Sequence, residues 1–155
     1  LSLDDDIRII ASAQIFDALH TEQLRLLAFG SERLRFSKGR NIFRENDRAD
    51  CGFVVASGEI DLVRLAGDEM KTVKTVGPGA IIGEMAMLTD TNRLTGAVAK
   101  TDCELIRINR SLFHRMLSEY PEIAADIHRD ILERLQEFLA SIGTMEHRFD
   151  DRHDF

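Results

Sequence analysis

The glycines of this 155-residue chain are unevenly spread, and that constrains its fold more than any other feature. Eight of the ten (Gly39, Gly52, Gly58, Gly67, Gly77, Gly79, Gly83 and Gly96) lie between residues 39 and 96, and the flanks hold only Gly30 and Gly143. Closely spaced glycines between short β-branched and aromatic runs are the pattern of a compact antiparallel barrel or jelly-roll. Strand candidates are Leu34–Phe36, Asn41–Arg44, Gly52–Ala56, Glu59–Leu65, Thr72–Val76, Leu94–Ala99 and Cys103–Ile108. The run from Glu59 to Leu65 mostly alternates polar and apolar residues, as a half-buried strand requires. Ser57-Gly58 makes a tight turn and Ala66-Gly67-Asp68-Glu69 a looser one. Gly77-Pro78-Gly79 must also turn, because proline cannot donate to a sheet ladder.

The flanks have helical spacing. Ile7, Ile10, Ile15, Phe16 and Leu19 are irregular and predict short helices; Thr21 is expected to cap a further helix that stops at Gly30. After Asn109 the period is helical again, with Leu112, Phe113, Met116 and Leu117 on one face and a break at Pro121. Ile123, Ile127, Ile131, Leu135, Phe138 and Ile142 then form a stripe at steps of four, four, four, three and four, and Gly143 is read as its stop. Such a stripe can pack on its own domain, but one small barrel rarely covers so long a helix, and Ile127, Ile131, Leu135 and Phe138 are expected to form a homodimer seam. The expected architecture is mainly β: an N-terminal helical segment (1–30), an antiparallel β-roll (31–109), C-terminal helices (110–143) and a flexible acidic tail (144–155).

Charge narrows the function classes. Of a formal net charge of −7, residues 119–155 carry −6, with ten acids against four arginines. An acidic C-terminal face repels a phosphate backbone, and DNA is not an expected partner. No apolar run approaches the roughly 20 residues of a membrane span, and the start LSLDDD is unlike a secretory signal, so the expected location is cytoplasmic. Two cysteines, Cys51 and Cys103, are too few for a disulfide scaffold or a four-thiolate metal site and are read as buried thiols. The histidines (His20, His114, His128, His147 and His153) fall outside the strands, so neither a metal site nor a metal-dependent barrel enzyme is expected.

Chemistry concentrates in residues 79–98, GAIIGEMAMLTDTNRLTGAV. A strand runs into Gly83, then a short helix, a loop, and Arg93 entering the next strand. Glycine lets backbone N–H groups approach a ligand closely, and a forked guanidinium suits phosphate. Glu84 beside a phosphate makes sense if it accepts from a sugar hydroxyl; the bland alternative is a Glu84–Arg93 surface ion pair. No nucleophile–base arrangement accompanies these residues, so no enzyme activity is expected.

GEMAMLTDTNRLTGAV resembles the phosphate-binding cassette (here residues 83–96) of cyclic-nucleotide-binding domains, the β-roll shared by catabolite activator proteins and the regulatory subunit of protein kinase A. SKGRNIFREND, FVVASGEIDLV and SLFHRMLSEYPEIAADI are similar to that family's first turn, central hairpin and paired C-terminal helices. The resemblance implies a cyclic nucleotide as ligand, with no cofactor. Glu84 would accept from the ribose 2′-hydroxyl, Arg93 would pair with the cyclic phosphate, and the backbone at Gly83, Met85 and Leu94 would donate N–H groups. Val76 and Ile82 would wall the pocket or serve only the core.

Departures from the pattern carry information too. Asn46 replaces a frequent glycine, a small change because asparagine tolerates left-handed backbone. Leu94 has no hydroxyl for the phosphate, and Thr95 is one position late, which favours cAMP over cGMP. Phe138 and Leu139 stand where activator proteins place polar groups over the base, so any base cap would be apolar. No DNA-reading helix can be placed in these 155 residues, which implies a sensor signalling through its C-terminal helix to a dimer mate or a protein partner. The competing expectation is a β-roll that dimerises or docks partners without binding nucleotide.

Overall fold

A computed structural model describes residues 2–153, with side chains described for residues 2–143. Ten strands follow two N-terminal helices, α1 (Leu3–Ala11) and α2 (Thr21–Gly30), which are joined through a 3₁₀ turn at Gln14–Phe16. The strands are β1 (Glu32–Phe36), β2 (Asn41–Phe43), β3 (Arg48–Ala49), β4 (Cys51–Ser57), β5 (Ile60–Ala66), β6 (Glu69–Val76), β7 (Ile81–Ile82), β8 (Thr91–Asn92), β9 (Gly96–Ala99) and β10 (Cys103–Asn109). A short helix α3 (Met85–Leu88) interrupts the strands between β7 and β8; α4 (Arg110–Glu119) and α5 (Pro121–His153) close the chain.

The strands make two four-stranded antiparallel sheets, in the orders β1-β10-β4-β7 and β2-β9-β5-β6, with β3 and β8 paired beside them. Strand alternation divides the interior into two cores. On one side of the first sheet, Val54, Ile106 and Ile108 meet the helices through Ile10, Phe16, Leu27, Phe113 and Met116. On the other, Phe53, Val55 and Leu105 face Ile60, Leu62, Ala97 and Ala99 of the second sheet. This is the antiparallel β-roll with flanking helices that the glycine pattern predicts.

Several local expectations need correction. The cap of α2 is His20, whose backbone N–H donates to Gln23 Oε1 at 2.6 Å, and Thr21 is already helical. Arg93 and Leu94 lie between β8 and β9, which starts only at Gly96. Gly143 does not stop the last helix: α5 continues to His153, so the backbone of residues 144–153 in the expected tail is helical. The side chains of residues 144–153 lie outside the description.

The seam assignment changes as well. Ile127 and Ile131 are fully buried in the chain's own helical core, together with Ile123, and Phe138 packs on the β-roll core. Ile127 and Ile131 are covered by their own domain, where α4, the 3₁₀ turn and α3 pack against α5, so they have no surface left for a twin subunit.

Candidate functional site

β7 delivers the chain into Gly83 with φ of +68°, a left-handed conformation that glycine adopts without strain. A second reason for glycine is space: a Cβ there would overlap the Arg93 guanidinium. Glu84 then opens α3, whose first turn closes as Ala86 and Met87 N–H donate to the Gly83 and Glu84 carbonyls.

The return of the chain through β8 sets Arg93. Its backbone N–H donates to Asp47 O and its carbonyl accepts from Asn46 N–H, both at 2.8 Å. Asn46 has φ of +71°, so the residue replacing the family's usual glycine does adopt the left-handed backbone. That turn anchors the main chain on both sides of the Arg93 side chain.

The Arg93 side chain is buried, at 7% exposure, yet its contacts are all neutral. Nη1 donates to the Gly83 carbonyl at 3.4 Å and Nη2 to Cys51 Sγ at 3.3 Å. The guanidinium lies 4.2 Å from the Phe43 ring centroid and 5.8 Å from that of Phe53. No carboxylate among the described residues pairs with it within 4.0 Å. Burial pushes its pKa below the ordinary arginine value, with the neighbouring thiol and Asp50 and Asp47 acting in the opposite direction. A buried cation without a paired carboxylate is costly.

A cavity of about 500 Å³ opens beside it, lined by the cassette, β5, β6 and α5. Every residue singled out from the sequence reaches this cavity: Gly83, Glu84, Met85, Arg93, Leu94, Thr95, Phe138 and Leu139, with Val76 and Ile82 in its wall. Thr95 is buried, whereas Leu94 and Leu139 stand exposed at 43% and 46%. Glu84 does not pair with Arg93, as the bland alternative had it. Its Oε1 instead accepts from Arg134 Nε of α5 at 3.3 Å.

Three neighbours of the cassette escaped the sequence: Phe43, Cys51 and Arg134. Arg134 was findable, because it lies four residues before Phe138 and therefore on the same helix face. Phe43 and Cys51 gave no sequence signal, since each reaches Arg93 only through tertiary folding. The described residues contain no group of three metal-ligating side chains, and no described helix is long and apolar enough to cross a membrane.

The family profile described as cyclic nucleotide-binding domain matches residues 33–120. This chain belongs to that family. A relative that shares it, the cyclic AMP receptor protein of Thermus thermophilus, is 30% identical over 124 residues, covering 79% of this chain and 57% of that protein. Lysophospholipase NTE1 of Chaetomium globosum is 33% identical over 118 residues, which is 76% of this chain but 8% of that enzyme. A solved structure, a cyclic nucleotide-binding-like protein from Brucella abortus, is 50% identical with a TM-score of 0.67, covering 74% of this chain and 99% of that one. The chain thus spans less than two thirds of these two curated relatives. As a cyclic nucleotide-binding domain it falls in a family of regulatory and sensor modules.

Proposed function

We propose that this domain binds a cyclic nucleotide, cAMP in preference to cGMP, and passes the event on through α5. The observation that carries this is Arg93: a buried guanidinium with neutral neighbours, facing a cavity of nucleotide size. The cyclic phosphate supplies the missing anion, gripped by Arg93 and by backbone N–H groups at Gly83, Met85 and Leu94. Glu84 accepts from the ribose 2′-hydroxyl. Phe138 and Leu139 close over the base by apolar contact. Leu94 offers the phosphate no hydroxyl, which supports cAMP, and the name of the Thermus relative agrees. The free, buried thiols of Cys51 and Cys103 suit a reducing cytoplasm.

Signal output follows from the Glu84–Arg134 pair. A ribose that takes up lone pairs of Glu84 changes what holds α5 against the cassette, and the nucleotide favours whichever arrangement of the helix fits both. The half-buried Leu135 remains for contact with a twin subunit or another protein. Calorimetric titration with cAMP and cGMP, combined with hydrogen exchange over residues 122–142, tests the reading. Heat from cAMP and altered exchange over that helix are expected, with the change lost in Arg134→Ala. No heat from either nucleotide would favour a docking module instead; heat without altered exchange would remove α5 as the output.

A further inference from the structure

We propose, resting on the nucleotide reading above, that Cys51 is a positioning residue for Arg93, holding the guanidinium at the cavity while withholding a counter-charge. Cys51 opens β4 and is locked in register against Asn109 of β10, so the sheet fixes where its sulfur lies. Sγ accepts from Arg93 Nη2 at 3.3 Å, and Cys51 does not line the cavity that Arg93 reaches. Together with the Gly83 carbonyl and the Phe43 ring, the thiol completes a set of contacts in which nothing carries a full negative charge.

The choice of sulfur matters because the alternatives fail in opposite ways. A carboxylate at this position would form a charge-assisted pair with Arg93, and an incoming phosphate would have to compete with it. A methyl group would hold nothing, and the guanidinium would turn about its Nε–Cζ bond. A thiol is a weak acceptor, strong enough to orient and too weak to neutralise. Burial pushes the Cys51 thiol above its ordinary pKa, with Arg93 opposing, which keeps it uncharged at neutral pH. The site therefore presents a cation that is oriented but unsatisfied, the state in which an anion gains most by binding.

The test compares Cys51→Ala, Cys51→Ser and Cys51→Asp with the parent by two measurements. The first is the ¹⁵N spectrum of the Arg93 guanidinium without nucleotide, assigned by its loss in Arg93→Lys; the second is calorimetric titration with cAMP. The parent should show hindered rotation at Arg93. Alanine should release it and weaken cAMP about threefold to tenfold, the worth of one modest hydrogen bond. Serine should restore part of both. Aspartate should keep the rotation hindered yet bind cAMP more weakly than alanine. Unchanged Arg93 signals in the alanine variant, or parental cAMP affinity in a folded aspartate variant, would overturn the proposal. Should aspartate prevent folding, alanine and serine still decide it through the ¹⁵N spectrum. A parent that takes up neither cAMP nor cGMP, while its Arg93 signals respond as stated, upholds the thiol contact and defeats the nucleotide reading.

Discussion

Two arginines of this domain, one at the α1–β1 seam and one in the cassette, sit in opposite electrostatic surroundings. Arg33 of β1 lies between two carboxylates, 2.7 Å from Asp6 of α1 and 3.0 Å from Glu104 of β10. Its hydrogen bond to Asp6 raises its pKa above the ordinary arginine value. Arg93 is more deeply buried and has a thiol, a carbonyl and a ring for company; burial pushes its pKa the other way. The first arginine fastens a helix to a sheet and is already satisfied. The second is paired with no carboxylate among the described residues. A structural arginine and one proposed to bind an anion thus differ less in burial than in whether the fold has paired them with a carboxylate.

The sharpest way to break this contrast is Arg93→Met, which keeps length and removes charge. It should lower cAMP affinity about a hundredfold or more, since two or more charge-assisted hydrogen bonds are lost. The melting temperature should hold or rise, because an uncompensated buried charge has gone. A variant that loses stability and keeps affinity would reverse the roles assigned to the two arginines.

Arg33→Ala should do the converse. Its side chain and both partner carboxylates are partly exposed, so the expected cost is about 1–2 kcal/mol of unfolding free energy in urea. Nucleotide affinity should stay within about twofold, well inside the 1.4 kcal/mol that a tenfold change requires. A large loss of affinity would mean that the α1–β1 seam and the cassette are coupled.

The smallest effect concerns Asp90, which ties the cassette loop to β3 through Arg48 at 2.7 Å. That hydrogen bond holds the Asp90 carboxyl below its ordinary pKa. A depressed carboxylate stabilises the fold above its unfolded-state pKa, and that contribution disappears as pH falls through the folded-state value. Asp90→Asn should therefore lower the melting temperature slightly at neutral pH and not at all near pH 2. An equal difference at both pH values would assign the effect to packing, not charge.

How much of this was legible depended on the range of the interaction. The β-roll followed from glycine spacing and strand alternation, which are local signals. The short β3 and β8 did not, since two-residue strands exist only through their partners. The cassette was legible because Gly83, Glu84 and Arg93 lie within one stretch of chain. What surrounds Arg93 was not: Phe43 comes from β2 and Cys51 from β4, brought together by long-range folding. The stripe on α5 was read correctly as apolar, but periodicity reports a buried face without saying what buries it. Here the chain's own helices do so at Ile127 and Ile131.

The unbroken course of α5 past Gly143 has a mechanical consequence. A 33-residue helix is about 50 Å long, and the part beyond Arg134 accounts for roughly 29 Å of it. In the proposed signalling role it would act as a lever whose fulcrum lies beside the cassette. A tilt of about 10° at Arg134 would carry the far end through roughly 5 Å, comparable to one helical turn. Under the proposed output, a small exchange of partners at Glu84 would thereby become a displacement on the scale that one protein surface can recognise in another.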